Sequence, residues 1–587
     1  MCGIICISKK FNQKFAKSFE LLKHRGPDFQ KFVNSDDLII GHNLLQIRGE
    51  LNDSKQPKYS KHNRFILCFN GQIYNTSELK KKFFITARTD LDTEILLEVI
   101  NKNGLNFINH IKGMFAILIY DTKTKNIHLF RDPSGQKHLY YYVNENNLII
   151  CSEIKPIINI LENFHYDDKN LISSLILGYP IDKFTLFKNV NKVLPGQHLI
   201  INQKKQIHKN LFKQYTENFD GESPADVINR TVCNHLQTKK KIALNLSGGL
   251  DSNVLLFEAL KINPNISLFS TKFETDNIIY NNDYNLAKET ANYYGLDLHT
   301  TNITFDDYLN KFEKSFSHIE EINRNINNPA YYINFVNQKK NNFRSIISGD
   351  GGDEIFIGYD YYRRINLKKK IFDYFKISKI ISSFFWFNEY VRYEIQKRYF
   401  NINLYNLKKK YLIFSNFINS KNFYENFYNS KLDYTSKYFC FLDQFNWLPN
   451  EVFVSNDKLG MQNNLEVRSP FCDLDLRRYF LKRMEKKDFL TKVNKPEIRD
   501  IYSNKLPKHI LSNTKKTGWT IPREWLLRNE LVEKILSFIP DTDCDIFKWS
   551  NLKNDIKKNK INLQNKQIYS LISLSIIKKN FHEKQNN

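Results

Sequence analysis

The hydrophobic pattern of this chain changes character near residue 220, and the change predicts two different folds in succession. Before it, short apolar runs alternate with turns. Residues 4–7, 38–40, 65–69, 115–119 and 148–151 read as strands. Residues 91–100 carry apolar side chains at helical spacing after the cap-like Thr89-Asp90, which predicts a helix. Strands with a few helices make an α+β layered domain. After residue 220, strand-like runs at 242–246, 266–269 and 345–347 are each followed by helical segments, the pattern of a parallel α/β sheet. Residues 361–450, rich in Tyr, Phe and Lys at helical periodicity, read as helices packed around that sheet, with a membrane-surface role as the remote alternative.

At 587 residues the chain is too long for a single core. Leu194-Pro195-Gly196 and a polar strand around Ile207 close the first domain, and Asp220-Gly221-Glu222-Ser223-Pro224 is a turn leading into a helix. The expected division is 1–205, a linker over 206–222, and 223–580, with a frayed tail from His582 to Asn587.

The formal net charge of +25 invites a nucleic-acid partner. The lysines are scattered, however, with only short runs at 239–241, 368–370 and 408–410, and no nucleic-acid motif accompanies them. Lys, Asn, Ile, Phe and Tyr are all encoded by AT-rich codons, so the charge reads as genomic bias and a solvated basic surface. Eight cysteines without a CxxC pair argue against zinc and a disulfide framework, and for a reducing cytoplasm. No apolar run approaches a membrane span, and the residues after Cys2 do not form a signal peptide.

Cys2 concentrates the chemistry of the first domain. Once Met1 is removed, one residue carries a thiol and an α-amine, whose pKa near 8 lets it accept the thiol proton. In the second domain Ser247-Gly248-Gly249-Leu250-Asp251-Ser252 follows a strand and opens a helix, a place where backbone N–H groups cradle an anion. Its spacing is not that of a Walker A loop. Ser348-Gly349-Asp350-Gly351-Gly352-Asp353-Glu354 also follows a strand, and its carboxylates suit Mg²⁺ carrying phosphate, with Asp251 and Asp353 holding one metal between them.

These residues resemble a known family. Cys2-Gly3-Ile4, Arg25-Gly26-Pro27-Asp28, Asn70-Gly71-Gln72-Ile73-Tyr74-Asn75, Asp92-Thr93-Glu94, Arg131-Asp132-Pro133-Ser134-Gly135 and Ser152-Glu153-Ile154-Lys155 resemble the N-terminal-nucleophile glutamine amidotransferase domain. The two glycine loops, Glu466-Val467-Arg468-Ser469-Pro470-Phe471, and Lys495 four residues before Arg499 look like the synthetase domain of glutamine-hydrolysing asparagine synthetases. The resemblance implies an αββα sandwich followed by an ATP-binding α/β domain. It implies that Cys2 attacks glutamine, that Asn70 and Gly71 form the oxyanion hole, and that Gln72 and Asp92 lie at the glutamine α-amine. ATP is implied on Leu246, Ser247, Gly248, Gly249, Asp251, Ser252, Thr271, Ser348 and Gly349. Asp350 and Lys495 would serve formation of an acyl-adenylate, and ammonia would pass between the sites through an internal tunnel. The implied partners are glutamine, ATP with Mg²⁺, and aspartate or another carboxylate, with a homodimer left open.

Three positions depart from the family pattern. Leu44 stands where an Arg grips the glutamine α-carboxylate. Arg48 lies four residues on, on the same face of an extended strand but roughly 13 Å further along, so it substitutes only if the strand bends or slips. Gln72 replaces a carboxylate, and Asp457-Lys458-Leu459-Gly460-Met461 departs in the synthetase half. The readings in competition are asparagine synthesis, the same chemistry on a sugar uronate or peptide side chain, an ammonia-dependent variant, and a polyanion-binding protein with vestigial sites.

Overall fold

The computed structural model describes residues 2–161, 163–212, 219, 221–360, 362, 440–441, 443–484, 493–514, 518–542, 548–559, 563–564 and 566–582. Most of the helical stretch expected over 361–450 lies outside the described residues, as does the tail after His582. The part of that stretch that is described enters a π-type helix, Asp443–Val452, which contains Pro449.

Twelve strands are described in the first 211 residues: β1 (Gly3–Ser8), β2 (Phe29–Ser35), β3 (Leu38–Leu44), β4 (Lys58–Tyr59), β5 (Phe65–Ile73), β6 (Gly113–Asp121), β7 (Asn126–Arg131), β8 (Tyr140–Val143), β9 (Leu148–Cys151), β10 (Val190–Lys192), β11 (Gln197–Ile201) and β12 (Ile207–Leu211). They form two antiparallel sheets, ordered β10-β8-β9-β1-β3-β2 and β12-β11-β7-β6-β5-β4. Several strands read as unbroken apolar runs because both faces of each sheet are covered. Ile4 and Cys6 of β1 enter the layer between the sheets with Ile66, Cys68, Ala116 and Leu118. Ile5 and Ile7 point the other way, against Phe15 and Phe19 of the helix Asn12–Glu20 and Ile154 and Ile157 of the helix Ile154–Leu161. On the far side of the second sheet, Phe65, Leu67, Phe115 and Ile117 lie against Ile95, Leu96, Val99 and Ile100 of the helix Asp92–Asn103. The result is the four-layer αββα sandwich.

That last helix does not use Thr89-Asp90 as its cap. Leu91 holds the N-cap position without a side-chain bond. Thr89 Oγ1 instead accepts the Leu91 N–H at 3.2 Å and donates to Glu94 at 2.6 Å, tying the loop to the first turn.

The second unit begins at the helix Pro224–His235, with Pro224 in the first turn and Ser223 in a reciprocal capping box with Asp226. Among the described residues five parallel strands follow: β13 (Ile242–Asn245), β14 (Ser267–Phe273), β15 (Leu298–Ile303), β16 (Ser345–Ile347) and β17 (Glu466–Arg468). Their order is β15-β14-β13-β16-β17. Chain order runs outward from β13 to β15, then returns to the other side with β16. The reversal falls between β13 and β16, where open α/β sheets bind ligands beyond the carboxyl ends of their strands. The sequence reading omitted β15, whose Leu-His-Thr-Thr-Asn-Ile is mostly polar, and β17, a three-residue strand with a charged residue at each end.

The two units share an apolar seam. The helix Lys566–His582 buries Ile568, Tyr569, Leu571, Ile572, Leu574, Ile576, Ile577 and Phe581. They join Leu171, Leu175 and Phe187 of the first unit and Phe312 and Phe316 of the second in one cluster. Burying a side chain of this size contributes about 1.5–3 kcal/mol. Among the described residues no helix is long and apolar enough to cross a membrane.

Candidate functional site

The first site is a cleft lined by Cys2, Leu44, Arg48, Gly71, Gln72, Asp92 and Glu466, among others. Cys2 is buried immediately before β1, and its backbone N–H donates to Asn70 Oδ1 at 2.8 Å. That bond aims the Asn70 amide so that its Nδ2, fully buried, is left without an acceptor. A buried donor with no partner is costly unless a ligand supplies the acceptor. The next residue must be glycine: Gly71 has φ +149°, and a Cβ there would lie 2.0 Å from Met114 O on the neighbouring strand. Burial raises the Cys2 thiol above its usual value, and a backbone hydrogen bond to Leu45 and the Arg25 guanidinium pull it partly back.

The bend that Arg48 requires is present. β3 ends at Leu44, and the chain leaves the sheet over residues 45–48. Arg48 then donates to Ile73 O at 3.0 Å and to Gln237 Oε1 at 3.2 Å while lining the cleft beside Asp92. Asp92 opens its helix. Its two carboxylate oxygens accept the N–H groups of Ile73 (3.3 Å) and Thr93 (2.9 Å), and burial raises its carboxyl above the ordinary range. Gln72 is buried, with its carbonyl oxygen accepting from Arg468 Nη2 at 3.2 Å. Glu466 and Arg468 come from β17 in the second unit, and sequence reasoning did not assign them to this cleft. Motif reading places them with the synthetase loops, and nothing local announces a contact 396 positions away.

The second site lies where β13 and β16 end. Leu246 continues β13 with its N–H on Phe269 O. Ser247 and Ser252 join their hydroxyls at 2.9 Å, and Asn253 clamps the carbonyls of Ser247 and Gly249. The loop already holds an anionic oxygen, since Gly248 N–H donates to Asp283 Oδ1 at 3.0 Å, while Gly249 N–H donates to Ser247 Oγ. Thr271 sits on β14 two residues past the last β13–β14 pair, at the same end of the sheet. After β16, Ser348 N–H donates to Arg468 O at 2.9 Å, Gly349 packs on Asp251, and the Asp350 carboxylate accepts from Ser348 Oγ (2.6 Å) and Asn456 Nδ2 (2.8 Å).

Asp251, Asp353 and Lys495, distant in sequence, converge here. The Lys495 ammonium contacts Asp251 Oδ2 and lies 2.7 Å from Asp353 Oδ1. Gly352 permits this approach, because a Cβ there would sit 2.5 Å from Asp251 Cγ. Asp251 Oδ1 is buried without a hydrogen-bond partner. Two close carboxylates with an open oxygen fit a hard cation that also carries phosphate. Glu354, next in the chain, is fully buried, and burial followed by the nearby Asp443 pushes its carboxyl up to about 8.

The departing segment Asp457-Lys458-Leu459-Gly460-Met461 turns out to face the first unit. It belongs to the helix Phe453–Met461. Asp457 receives two hydrogen bonds from Arg25, at 2.9 and 3.2 Å, and Arg25 also donates to Glu153 and to Cys2 O. Lys458 is buried on Glu320 at 2.7 Å, and Met461 packs against Leu45 and Ile47. Asn456, one residue earlier, is the partner of Asp350. One helix thus touches both sites.

The asparagine synthase family description matches residues 224–560, more than half of the chain. The chain belongs to the asparagine synthase family. A glutamine amidotransferase domain matches residues 1–215. Asparagine synthetase [glutamine-hydrolyzing] 1 of Bacillus subtilis is 26% identical over 93% of this chain and 91% of its own. A putative asparagine synthetase [glutamine-hydrolyzing] of Mycobacterium tuberculosis is 24% identical over 88% of this chain and 85% of its own. A Gibberella zeae protein named amidase chry2 is 25% identical over 62% of this chain and 58% of its own. The protein is accordingly an amidotransferase of the glutamine-hydrolysing asparagine synthetase type.

Proposed function

We propose that this enzyme makes asparagine from aspartate, using ATP and the amide nitrogen of glutamine. The observation that carries the reading is the convergence of Asp251, Asp353 and Lys495 beyond the carboxyl ends of β13 and β16. The work divides between residues 1–205 and 223–580. They are joined through 206–222, whose first strand, β12, completes the second sheet of the sandwich.

In the first domain Cys2, freed of Met1, attacks the glutamine side-chain amide while its own α-amine takes the thiol proton. The oxygen of the tetrahedral adduct is met by Asn70 Nδ2 and the Gly71 N–H, donors oriented before charge develops. Ammonia leaves, and water later releases glutamate from the thioester. Arg48 grips the α-carboxylate, and Asp92 and Gln72 face the α-amine.

In the second domain ATP lies along Leu246, Ser247, Gly248, Gly249, Asp251, Ser252, Thr271, Ser348 and Gly349. Phosphate displaces the Asp283 carboxylate from the Gly248 N–H. Asp251 and Asp353 would hold Mg²⁺, which neutralises phosphate charge when bound. Lys495 moves from these carboxylates to the phosphates as the acceptor carboxylate attacks the α-phosphorus and pyrophosphate departs. Hydroxide is a poor leaving group, whereas AMP is a good one, so adenylation precedes displacement by ammonia. Asp350, fixed by Ser348 and Asn456, is placed to accept a proton from the incoming ammonia. The free state of the described cysteines fits a reducing cytoplasm.

Incubation of the purified chain with ATP, Mg²⁺, glutamine and a panel of carboxylic acids tests the reading. Pyrophosphate and AMP should appear with aspartate, and asparagine should accumulate. Release with a uronate or a peptide carboxylate but not with aspartate reassigns the acceptor.

A further inference from the structure

The Cys2 cleft contains one acidic group from the opposite domain. Glu466 lines it from β17, with its side chain 1% exposed and its Oε1 accepting from Arg468 Nε at 2.6 Å. Arg468 is itself fixed by the carbonyls of His235 and Gln237 and reaches Gln72 Oε1, while Gln237 Oε1 receives Arg48. The cleft therefore presents one guanidinium, Arg48, and two carboxylates, Asp92 and Glu466, around a thiol.

An α-amino acid offers one ammonium and one carboxylate to that arrangement. Asp92 already spends an oxygen on each of two backbone N–H groups and is pushed toward its neutral form by burial. Burial also pushes Glu466 up, but Arg468, the N-terminal amine and Lys137 together outweigh it and keep its carboxyl below the usual range. Glu466 is thus the more firmly charged of the two acids.

We propose that Glu466 binds the α-ammonium of the amide donor, so that the synthetase domain completes the glutamine cleft. This rests on the reading of the cleft as a glutamine site. The ammonium lies between Glu466 and Asp92, Arg48 takes the α-carboxylate, and the side-chain amide reaches Cys2. The acid that reads the donor therefore stands on the same strand whose Arg468 carbonyl holds Ser348 of the nucleotide loop.

The test compares hydrolysis of L-glutamine with that of 4-carbamoylbutanoate, the same molecule without its α-amine, by the full chain without ATP. The ratio of the two kcat/KM values is independent of the fraction of folded enzyme. Wild type should favour glutamine, and Glu466→Gln should lower the ratio at least tenfold through KM for glutamine. Glu466→Asp, which keeps the charge on a shorter arm, should fall between them. An unchanged ratio in Glu466→Gln overturns the inference alone, and no preference in wild type overturns it together with the α-amine role of Asp92 and Gln72. Failure of wild type to hydrolyse either compound overturns the glutamine reading and the inference with it. If Glu466→Gln is too slow to assay, calorimetric titration of glutamine into Cys2→Ala and into Cys2→Ala/Glu466→Gln decides, and equal affinities overturn the proposal.

Discussion

The two sites of this enzyme are assembled in different ways. The two glycine loops of the second domain are continuous stretches of chain, each following one parallel strand, with glycines that let backbone and carboxylates crowd together. The Cys2 cleft is gathered from β3, β5, the start of a helix, and a strand of the other domain more than 390 positions away. A loop of the first kind takes its partners, such as Asp283 for Gly248 and Asn456 for Asp350, from its own domain. A cleft of the second kind depends on how the domains dock.

Removing each site's central group should separate them most sharply. Cys2→Ala should lower glutamine-supported asparagine formation by about a thousandfold or more, since it removes the thiol that lies beside Asn70. Ammonium-supported formation should persist, and its loss would mean the sites are not separable. Asp251→Ala should cut pyrophosphate release at least a hundredfold with either nitrogen source, as the cation pair with Asp353 is broken. Persistent release removes the metal assignment.

Docking is tested by the fully buried Arg25. Arg25→Met strands Asp457 and Glu153 in the interface, a loss of about 3–5 kcal/mol. The thermal transition should fall, and glutamine use should fall more than ammonia use. Arg48→Ala should raise KM for glutamine some ten- to a hundredfold, as befits about 1.5–3 kcal/mol for hydrogen bonds to a charged group. An unchanged KM returns the α-carboxylate to another residue.

The smallest effect is in pH. With its folded pKa raised to about 8 from 4.5, Glu354 keeps a proton that the unfolded chain releases. Its contribution is fully present below about 4.5 and is lost as pH rises through 8. Glu354→Gln should flatten that decline in urea midpoints measured at pH 6 and pH 8. Equal slopes in both proteins would contradict the buried neutral acid.

The same difference in construction decides what could be read from the sequence. Ser247 to Ser252 and Ser348 to Glu354 were legible because strand, glycine loop and helix are adjacent in the chain. An α+β layered domain was legible because runs such as Ile4–Cys6 and Phe115–Leu118 are apolar on both faces, whereas the αββα order came from the family resemblance. Arg48 was legible only as a condition, since a bend after Leu44 has no local signature. Glu466 and Arg468 were invisible as cleft residues because only docking brings them to Gln72. The segment after Asn456 read only as a departure in the synthetase half, yet its Asp457 is held by Arg25 across the domain boundary, while Lys458 pairs with Glu320 inside its own domain.

The helix Lys566–His582 wedges apolar side chains against both units at once. During synthesis it emerges only after every described strand has left the ribosome. Until then each half must wait with an oily flank uncovered. Nascent chains arrested before residue 566 should accordingly bind chaperones, and release of this last wedge should let both halves settle together.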